Sequence, residues 1–149
     1  MKKIKLKSLL ASQGGFAALF LRVPVGIIFI AHGAQKLFGL FGGYGLEATG
    51  QWMASIGLEP GYLLALLAGS AEFFGGIALL VGLFTRPAAA VLAVTMVVAI
   101  FSVHVANGLF MANNGYEFAL ALLAICLSLV FSGAGKFALD AKVTAFLSK

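Results

Sequence analysis

The sequence predicts an all-α integral membrane protein in which four helices form a bundle across the bilayer. The chain has 149 residues, of which 62% are hydrophobic and only 10% charged, whereas soluble domains carry about 25% charged residues. Its mean hydropathy of +1.07 is too high for one small soluble core to hide the apolar side chains. The third observation is a set of four apolar stretches, each near the roughly 20 residues that a transmembrane helix needs.

The four predicted spans make residues 1–149 a single membrane domain. They cover about 16–38, 61–84, 87–107 and 117–131. Pro87 would stand at the start of the third helix, where a missing N–H costs little, and a tight turn at Thr85–Arg86 would precede it. The fourth stretch is short, so we expect its helix to extend slightly at both ends.

The distribution of basic residues predicts the topology. With a cytoplasmic amino terminus, nine Lys and Arg side chains fall on the cytoplasmic side and only Lys36 on the other. This positive-inside bias places both termini in the cytoplasm. The start, "MKKIKLKSLLASQ", has too short an apolar run for a signal peptide and is expected to be a retained basic anchor. Because the basic residues stand at segment ends and form no patch, nucleic acid is not an expected partner.

Two segments outside the spans have open interpretations. The loop between the first two spans contains a predicted short helix at about 47–56, with Trp52, Met53 and Ile56 on one apolar face. It would either seal the bundle or act as a lid over a site between the helices. The tail after the fourth span would either lie as a helix along the cytoplasmic surface or fray.

Ionisable residues cluster in the outer half of the predicted bundle. Such a group costs about 2.5–3.5 kcal/mol at the centre of a span, so it needs a partner or a wet cavity. The cluster predicts a polar pocket that binds a ligand or relays protons, and its members are His32, Lys36, Glu72, His104 and Glu117. Structural roles also remain open, such as a Lys36 side chain that reaches outer water or a Glu117 that opens a helix.

Glu72 lies near the predicted midplane of the second span. Gly69 and Gly76 share its helix face, and small residues allow a neighbouring helix to approach closely. A buried carboxylate there needs a proton or a cation, and we expect it to pair with His32 or Arg22. Arg22 would either meet Glu72 or reach the inner aqueous boundary.

Several classes of chemistry lack support. The chain has no HExxH, CxxC or nucleotide-binding glycine motif, so no metal site is expected. Cys126 is the single cysteine, and Asp140, the single aspartate, is predicted on the opposite side from both histidines. This placement argues against a Ser–His–Asp hydrolase. His32 and His104 could in principle ligate a haem iron, but two histidines are few for a dedicated cytochrome, and haem is disfavoured.

Three stretches resemble successive signatures of the DoxX family of small bacterial inner-membrane proteins. They are "RVPVGIIFIAHGAQKLFG", "GSAEFFGGIALLVGLFTRPAA" and "GAGKFALD", and "HVANGLFMANNGYEF" fits the region between the third and fourth helices. The resemblance covers about 16–140. It implies a four-helix protein of the bacterial inner membrane with a link to redox chemistry, since the family name comes from a membrane subunit of a thiosulfate:quinone oxidoreductase. The matching positions of interest are Arg22, His32, Lys36, Glu72, Arg86 and His104, with no catalytic role assigned to any of them.

Three functional hypotheses of different class follow. In the first, the chain is a redox-linked membrane component, in which His32 or His104 bonds a carbonyl of a quinone-like ring and Glu72 exchanges a proton. In the second, a non-catalytic scaffold recruits soluble redox enzymes through Arg86 and the basic tail. In the third, the same pocket transports a small solute or lipid. Four helices are few for alternating access, and a homo-oligomer would supply more. Whether the chain is itself an enzyme stays open.

Overall fold

The computed structural model describes residue 10 and residues 12–146, and this part of the chain is helical without strands. The predicted basic anchor lies almost entirely outside the described residues. The helices are α1 (Gly15–Phe38), α2 (Gly45–Ser55), α3 (Gly61–Val81), α4 (Thr85–Ala99), α5 (Glu117–Ser132) and α6 (Leu139–Phe146). Beyond Ala99, α4 continues as a π-helical turn, Ile100–His104, and a 3₁₀ turn, Val105–Asn107.

Four of these helices form the bundle, which confirms the predicted all-α membrane fold. Gly15–Phe38, Gly61–Val81 and Thr85–Asn107 are long and apolar enough to cross a bilayer. The shorter apolar helix, Glu117–Ser132, is about 24 Å long at 1.5 Å per residue. It extends beyond the predicted stretch at its carboxyl end, and the expected extension at its amino end is wrong because Glu117 is the first helical residue.

The turn between α3 and α4 differs from the prediction. The turn is not at Thr85–Arg86, because both residues already belong to the first turn of α4. α3 ends where Gly82 adopts the left-handed conformation, with φ of 68°. That conformation carries no steric penalty for a residue without a Cβ atom.

The two ends of the bundle can be defined from the chain connections. The Gln13 N–H donates to the Ser132 carbonyl over 2.8 Å, and the Lys136 N–H donates to the Gly15 carbonyl over 2.9 Å. The start of α1 and the end of α5 therefore share one end, here named the tail end. The opposite end, which carries α2 and the connection from α4 to α5, is named the loop end. At the tail end the segment after α5 forms the helix α6.

Glycines bring the backbones of α1 and α3 into contact. A Cβ atom added at Gly76 would lie 2.7 Å from both the Gly26 carbonyl oxygen and the Ile30 nitrogen. One added at Gly33 would overlap the backbone of Phe73. This close approach places the loop end of α1 against the middle of α3, where the candidate site forms. The apolar core lies beside it and is contributed by α1, α3, α4 and α5.

Candidate functional site

A cavity of about 520 Å³ lies at the loop end of the bundle. Its walls come from α1, α3, α4 and α5, with α2 and the connection from α4 to α5 completing them. Most of the wall is apolar, with Phe29, Met96 and Leu122 among its members. Four residues that the sequence nominated also line it: His32, Lys36, Glu72 and His104. The structure thus brings these four groups, from three helices, to one cavity.

Lys36 and Glu72 form an ion pair in the cavity wall. Lys36 Nζ donates to Glu72 Oε2 over 2.7 Å, and the two side chains are 24% and 6% exposed. The expected pairing of Glu72 with His32 or Arg22 is wrong. The close helix contact places Gly69 against the Cβ of Lys36, so the long lysine side chain reaches the carboxylate. A charge-assisted hydrogen bond of this kind is stronger than one between neutral groups and stabilises the buried carboxylate.

His32 lies on α1 one turn from Lys36 and is half-buried. Its ring centroid is 6.1 Å from that of Phe118, at an interplanar angle of 47°. The imidazole forms no hydrogen bond with the part of the chain that the structure describes. Its two ring nitrogens are therefore left to bind water or a molecule in the cavity.

His104 is the last residue of the π-helical turn that follows α4. Such turns are frequent at functional sites, because the extra residue redirects the side chains. The His104 Nδ1 atom is 2.9 Å from the Asn114 carbonyl oxygen. Since a carbonyl can only accept, Nδ1 carries the proton, and in the neutral ring Nε2 is the acceptor. No feature of the sequence predicted the π turn.

Glu117 does not line the cavity but supports one of its walls. Its Oε1 atom accepts from the Met111 N–H over 2.6 Å, and its own N–H donates to the Leu109 carbonyl over 2.9 Å. Met111 and Asn114, in the connection held this way, both line the cavity. Glu117 is therefore a positioning residue for that wall.

Arg22 lies at the tail end, away from the cavity, and is only 1% exposed. Both expectations for it, contact with Glu72 and contact with inner water, are wrong. Its guanidinium donates to five backbone carbonyls, those of Leu79 (3.0 Å), Leu80 (2.6 Å), Ala134 (2.8 Å), Lys136 (3.1 Å) and Phe137 (2.9 Å). The carbonyls in the last turn of a helix lack intrahelical donors and carry partial negative charge. Arg22 satisfies them in α3 and joins that helix to the segment after α5.

Arg86 and Asp140 also hold the tail end together. Arg86 Nη1 donates to the Val130 carbonyl near the end of α5 over 2.8 Å. The buried carboxylate of Asp140 accepts from the N–H groups of Phe84 and Thr85 over 2.7 and 3.0 Å. It therefore caps the start of α4, a role that the sequence reasoning missed. The only available signal was its place at the end of "GAGKFALD".

The short helix α2, which was expected either to seal the bundle or to cover a site, contributes Trp52 and Met53 to the cavity wall. Ile56, the third residue of the predicted apolar face, does not line the cavity. Tyr44, Ser102 and Asn114 line it as well, but nothing in their sequence context distinguished them. Among the described residues, no group of three or more His, Cys, Asp or Glu side chains could hold a metal ion.

The fold and the cavity define a helical membrane protein with an ion-paired polar site between its spans. The DoxX family model matches residues 17–105, and the chain belongs to the DoxX family. That match includes every nominated residue except Glu117. The family assignment agrees with the resemblance carried by the sequence motifs.

Relatives that match most of the chain include one protein without an assigned function and one with a redox name. An uncharacterized protein of Haemophilus influenzae is 42% identical over 126 residues, which cover 83% of this chain and 87% of the relative. A Bacillus subtilis protein named "Putative oxidoreductase CatD" is 37% identical over 122 residues, which cover 82% of this chain and 83% of the relative. No solved structure matches the chain.

Proposed function

We propose that this protein is a redox-linked membrane component that binds the ring of a quinone-like molecule in the cavity beside Lys36 and Glu72. The observation that carries the proposal is the convergence of two features on one largely apolar cavity: a buried ion pair, and an imidazole that forms no hydrogen bond with the described residues. The name of the Bacillus subtilis relative supports a redox role.

The cavity has the size and chemistry that a quinone ring requires. Its volume of about 520 Å³ lies within the roughly 300–1,000 Å³ typical of small-molecule sites. A quinone ring has two apolar faces and two carbonyl acceptors at opposite edges. Phe29 and Phe118 supply apolar wall, while the Lys36 ammonium and a protonated nitrogen of His32 can donate to a carbonyl.

The polar groups suit the proton part of quinone chemistry. Reduction of a quinone to a quinol takes two electrons and two protons. The Lys36 ammonium would stabilise negative charge that develops on the ring oxygen. When a quinol is oxidised, the Glu72 carboxylate would accept one of its two protons and the acceptor nitrogen of neutral His32 the other. None of the Lys, Glu and His side chains transfers electrons, so we assign the electrons to a soluble redox enzyme that acts with this protein.

The ring-binding proposal can be tested with the protein's own fluorophore. Trp52 is the only tryptophan of the chain and lines the cavity, so a bound quinone is expected to quench it. The purified protein in lipid nanodiscs would be titrated with ubiquinone-0, with free tryptophanamide correcting for absorbance. We expect Glu72→Gln and His32→Ala to raise the dissociation constant about tenfold each, the effect of losing one charged or well-placed hydrogen bond.

Glu47→Gln is the matched control, because Glu47 is exposed on α2 and does not line the cavity. It should leave the dissociation constant unchanged. Quenching that does not saturate in the wild type would refute ring binding. Equal dissociation constants for the wild type, Glu72→Gln and His32→Ala would refute binding of the ring beside these two residues. Organic extraction of the purified protein should in addition recover a bound quinone from the wild type and less from Glu72→Gln.

We further propose that the tail end faces the cytoplasm of a bacterial cell and that the bundle lies in the inner membrane. The positive-inside bias supports this orientation, and the backbone hydrogen bond from Gln13 to Ser132 supports a position of both chain ends on the same side. A fluorescent protein fused after Lys149 should be bright, and alkaline phosphatase fused there should be inactive. The opposite pattern would reverse the orientation.

A further inference from the structure

A second cavity, of about 500 Å³, lies between α3 and α4. Its walls are apolar side chains, including Leu67 and Ala71 of α3 and Val91 and Val94 of α4. Thr95 is its one polar wall residue, and the Thr95 hydroxyl already donates to the Val91 carbonyl over 3.1 Å. This space is here named the lateral groove. A molecule that enters it therefore finds apolar walls and no free hydrogen-bond donor among the residues that line it.

The lateral groove adjoins the polar cavity. Five residues line both spaces: Met53, Leu58, Ala68, Thr95 and Val98. The groove follows the first half of α3 and the later part of α4, so it lies in the loop half of the bundle, at the level of the polar cavity. A molecule could thus occupy both spaces at once, with its polar part beside Glu72.

The lateral groove opens toward the hydrocarbon of the bilayer. Leu67 and Val94 stand on its two sides and are 57% and 64% exposed. Both belong to helices that are long and apolar enough to cross the membrane, so acyl chains surround these side chains. Since the hydrocarbon core contains no water, only an apolar chain can lie in the groove at low cost.

We propose that the molecule bound in the polar cavity is an amphiphile from the bilayer, whose polar ring lies beside Lys36 and Glu72 and whose hydrocarbon tail leaves through the lateral groove. This inference rests on the proposed ring-binding function and specifies its substrate class as lipid-soluble, tail-bearing compounds. A tail gains little by exchanging lipid for an apolar protein wall. The groove instead lets the tail remain in hydrocarbon while the ring reaches polar partners.

The experiment compares two probes that share a ring and differ in the tail. Decylubiquinone carries a ten-carbon tail, and ubiquinone-0 carries none. Both are titrated against Trp52 fluorescence in nanodiscs, with the concentration of decylubiquinone expressed as a mole fraction of the lipid.

Two variants fill the lateral groove with a bulky side chain. Ala71→Phe fills it from α3. Val94→Phe fills it from α4 and serves as a second variant if Ala71→Phe does not fold. Ala90→Phe is the matched control, because Ala90 is exposed on α4 and lines neither space.

We expect each groove variant to weaken decylubiquinone binding about tenfold, since a bulky ring in the tail's path forces overpacking. Ubiquinone-0 binding should change by less than about twofold, because a tailless ring does not occupy the groove. Ala90→Phe should change neither. Circular dichroism confirms that each variant is folded.

The outcomes separate the inference from the function on which it rests. Unchanged decylubiquinone binding in folded groove variants, with ubiquinone-0 still bound, would overturn the inference and leave ring binding intact; the groove would then hold only a lipid acyl chain. Equal loss of both probes in folded variants would also overturn it, because the groove would then accommodate the ring. Failure of both probes to quench wild-type Trp52 saturably would overturn the proposed function and the inference together.

Discussion

The Nζ atom of Lys36 lies 2.7 Å from the Oε2 atom of Glu72 and joins the loop end of α1 to the middle of α3. The carboxylate is buried and the ammonium is mostly buried. This pair links fold and function, because it fastens two helices that contact through glycines and also supplies the charged groups of the cavity.

Breaking this ion pair from one side should be more harmful than removing it entirely. Lys36→Met leaves a buried carboxylate without its cation, which we expect to reduce the free energy of unfolding by about 3 kcal/mol. The double variant Lys36→Met/Glu72→Gln leaves no net charge there and should recover most of that loss. Unfolding in mixed micelles with increasing sodium dodecyl sulfate measures the free energies of unfolding of the wild type, of the single variants Lys36→Met and Glu72→Gln, and of the double variant.

Lys142→Met is the control for the loss of a lysine, since Lys142 is exposed on α6, and it should be neutral. If the losses in free energy of unfolding of the two single variants add up to that of the double variant, the two positions are not coupled. That result would contradict a stabilising ion pair between Lys36 and Glu72.

Arg22 is expected to be the most sensitive cation in the described part of the chain. Arg22→Ala would remove a donor from five carbonyls. The Leu79 carbonyl would keep the Gly82 N–H, but an unsatisfied buried acceptor at any of the other four costs about 1–3 kcal/mol. We expect a loss of at least about 3 kcal/mol in the same unfolding assay. Arg22→Lys should restore only part of this stability, because an ammonium has three donors on one atom whereas a guanidinium has five donors on three atoms. Faster hydrogen exchange at residues 133–138 in Arg22→Ala should accompany the loss, and unchanged exchange there would argue against this role.

Adjacent glycines of α3 should respond differently to alanine. Gly76→Ala places a Cβ atom 2.7 Å from the Gly26 carbonyl oxygen, which is backbone and cannot move away alone. We expect a loss of about 1–3 kcal/mol from this overpacking. In Gly75→Ala, the Cβ atom meets only side-chain atoms of Leu92 at 3.0–3.2 Å, so adjustment of that side chain should make it clearly milder. Equal unfolding free energies for the two variants would contradict the close contact.

Glu117 should affect ligand binding through the loop that it fastens. Glu117→Ala removes the acceptor for the Met111 N–H, so we expect faster hydrogen exchange at residues 108–116. We also expect about threefold to tenfold weaker ubiquinone-0 binding, because the loop loses one of the hydrogen bonds that hold it in place. Glu117→Gln keeps a carbonyl acceptor and should restore both readouts. If Gln fails to restore binding while it restores the loop, Glu117 acts on the ligand by another route.

The helical spans were predictable because hydropathy measures how favourably each side chain moves from water into an apolar environment. The same reasoning nominated His32, Lys36, Glu72 and His104, since the cost of ionisable groups in hydrocarbon favours shared polar surroundings. The small residues around Glu72 also indicated a close helix contact, and Gly76 does lie against Gly26. These inferences need only the chain order and the depth of each residue.

Partner choice was not predictable in the same way. Glu72 pairs with Lys36 because of how α1 is rotated against α3 and how far a lysine side chain extends. Arg22 donates to backbone carbonyls because the end of α3 and the segment between α5 and α6 both lie beside it. The π turn before His104 reflects packing of the whole helix end, for which local residue preferences carry no signal.

The sequence by itself therefore determined that this chain is an all-α membrane protein and that a cluster of ionisable groups lies toward one end of its bundle. Both follow from transfer free energies, which are properties of single residues and their order. The tertiary structure alone decided which charges meet and which carbonyls Arg22 satisfies. It also decided that the polar cavity adjoins the lateral groove between α3 and α4. Those features depend on the angle and distance between helices, which side-chain packing sets after the spans have formed.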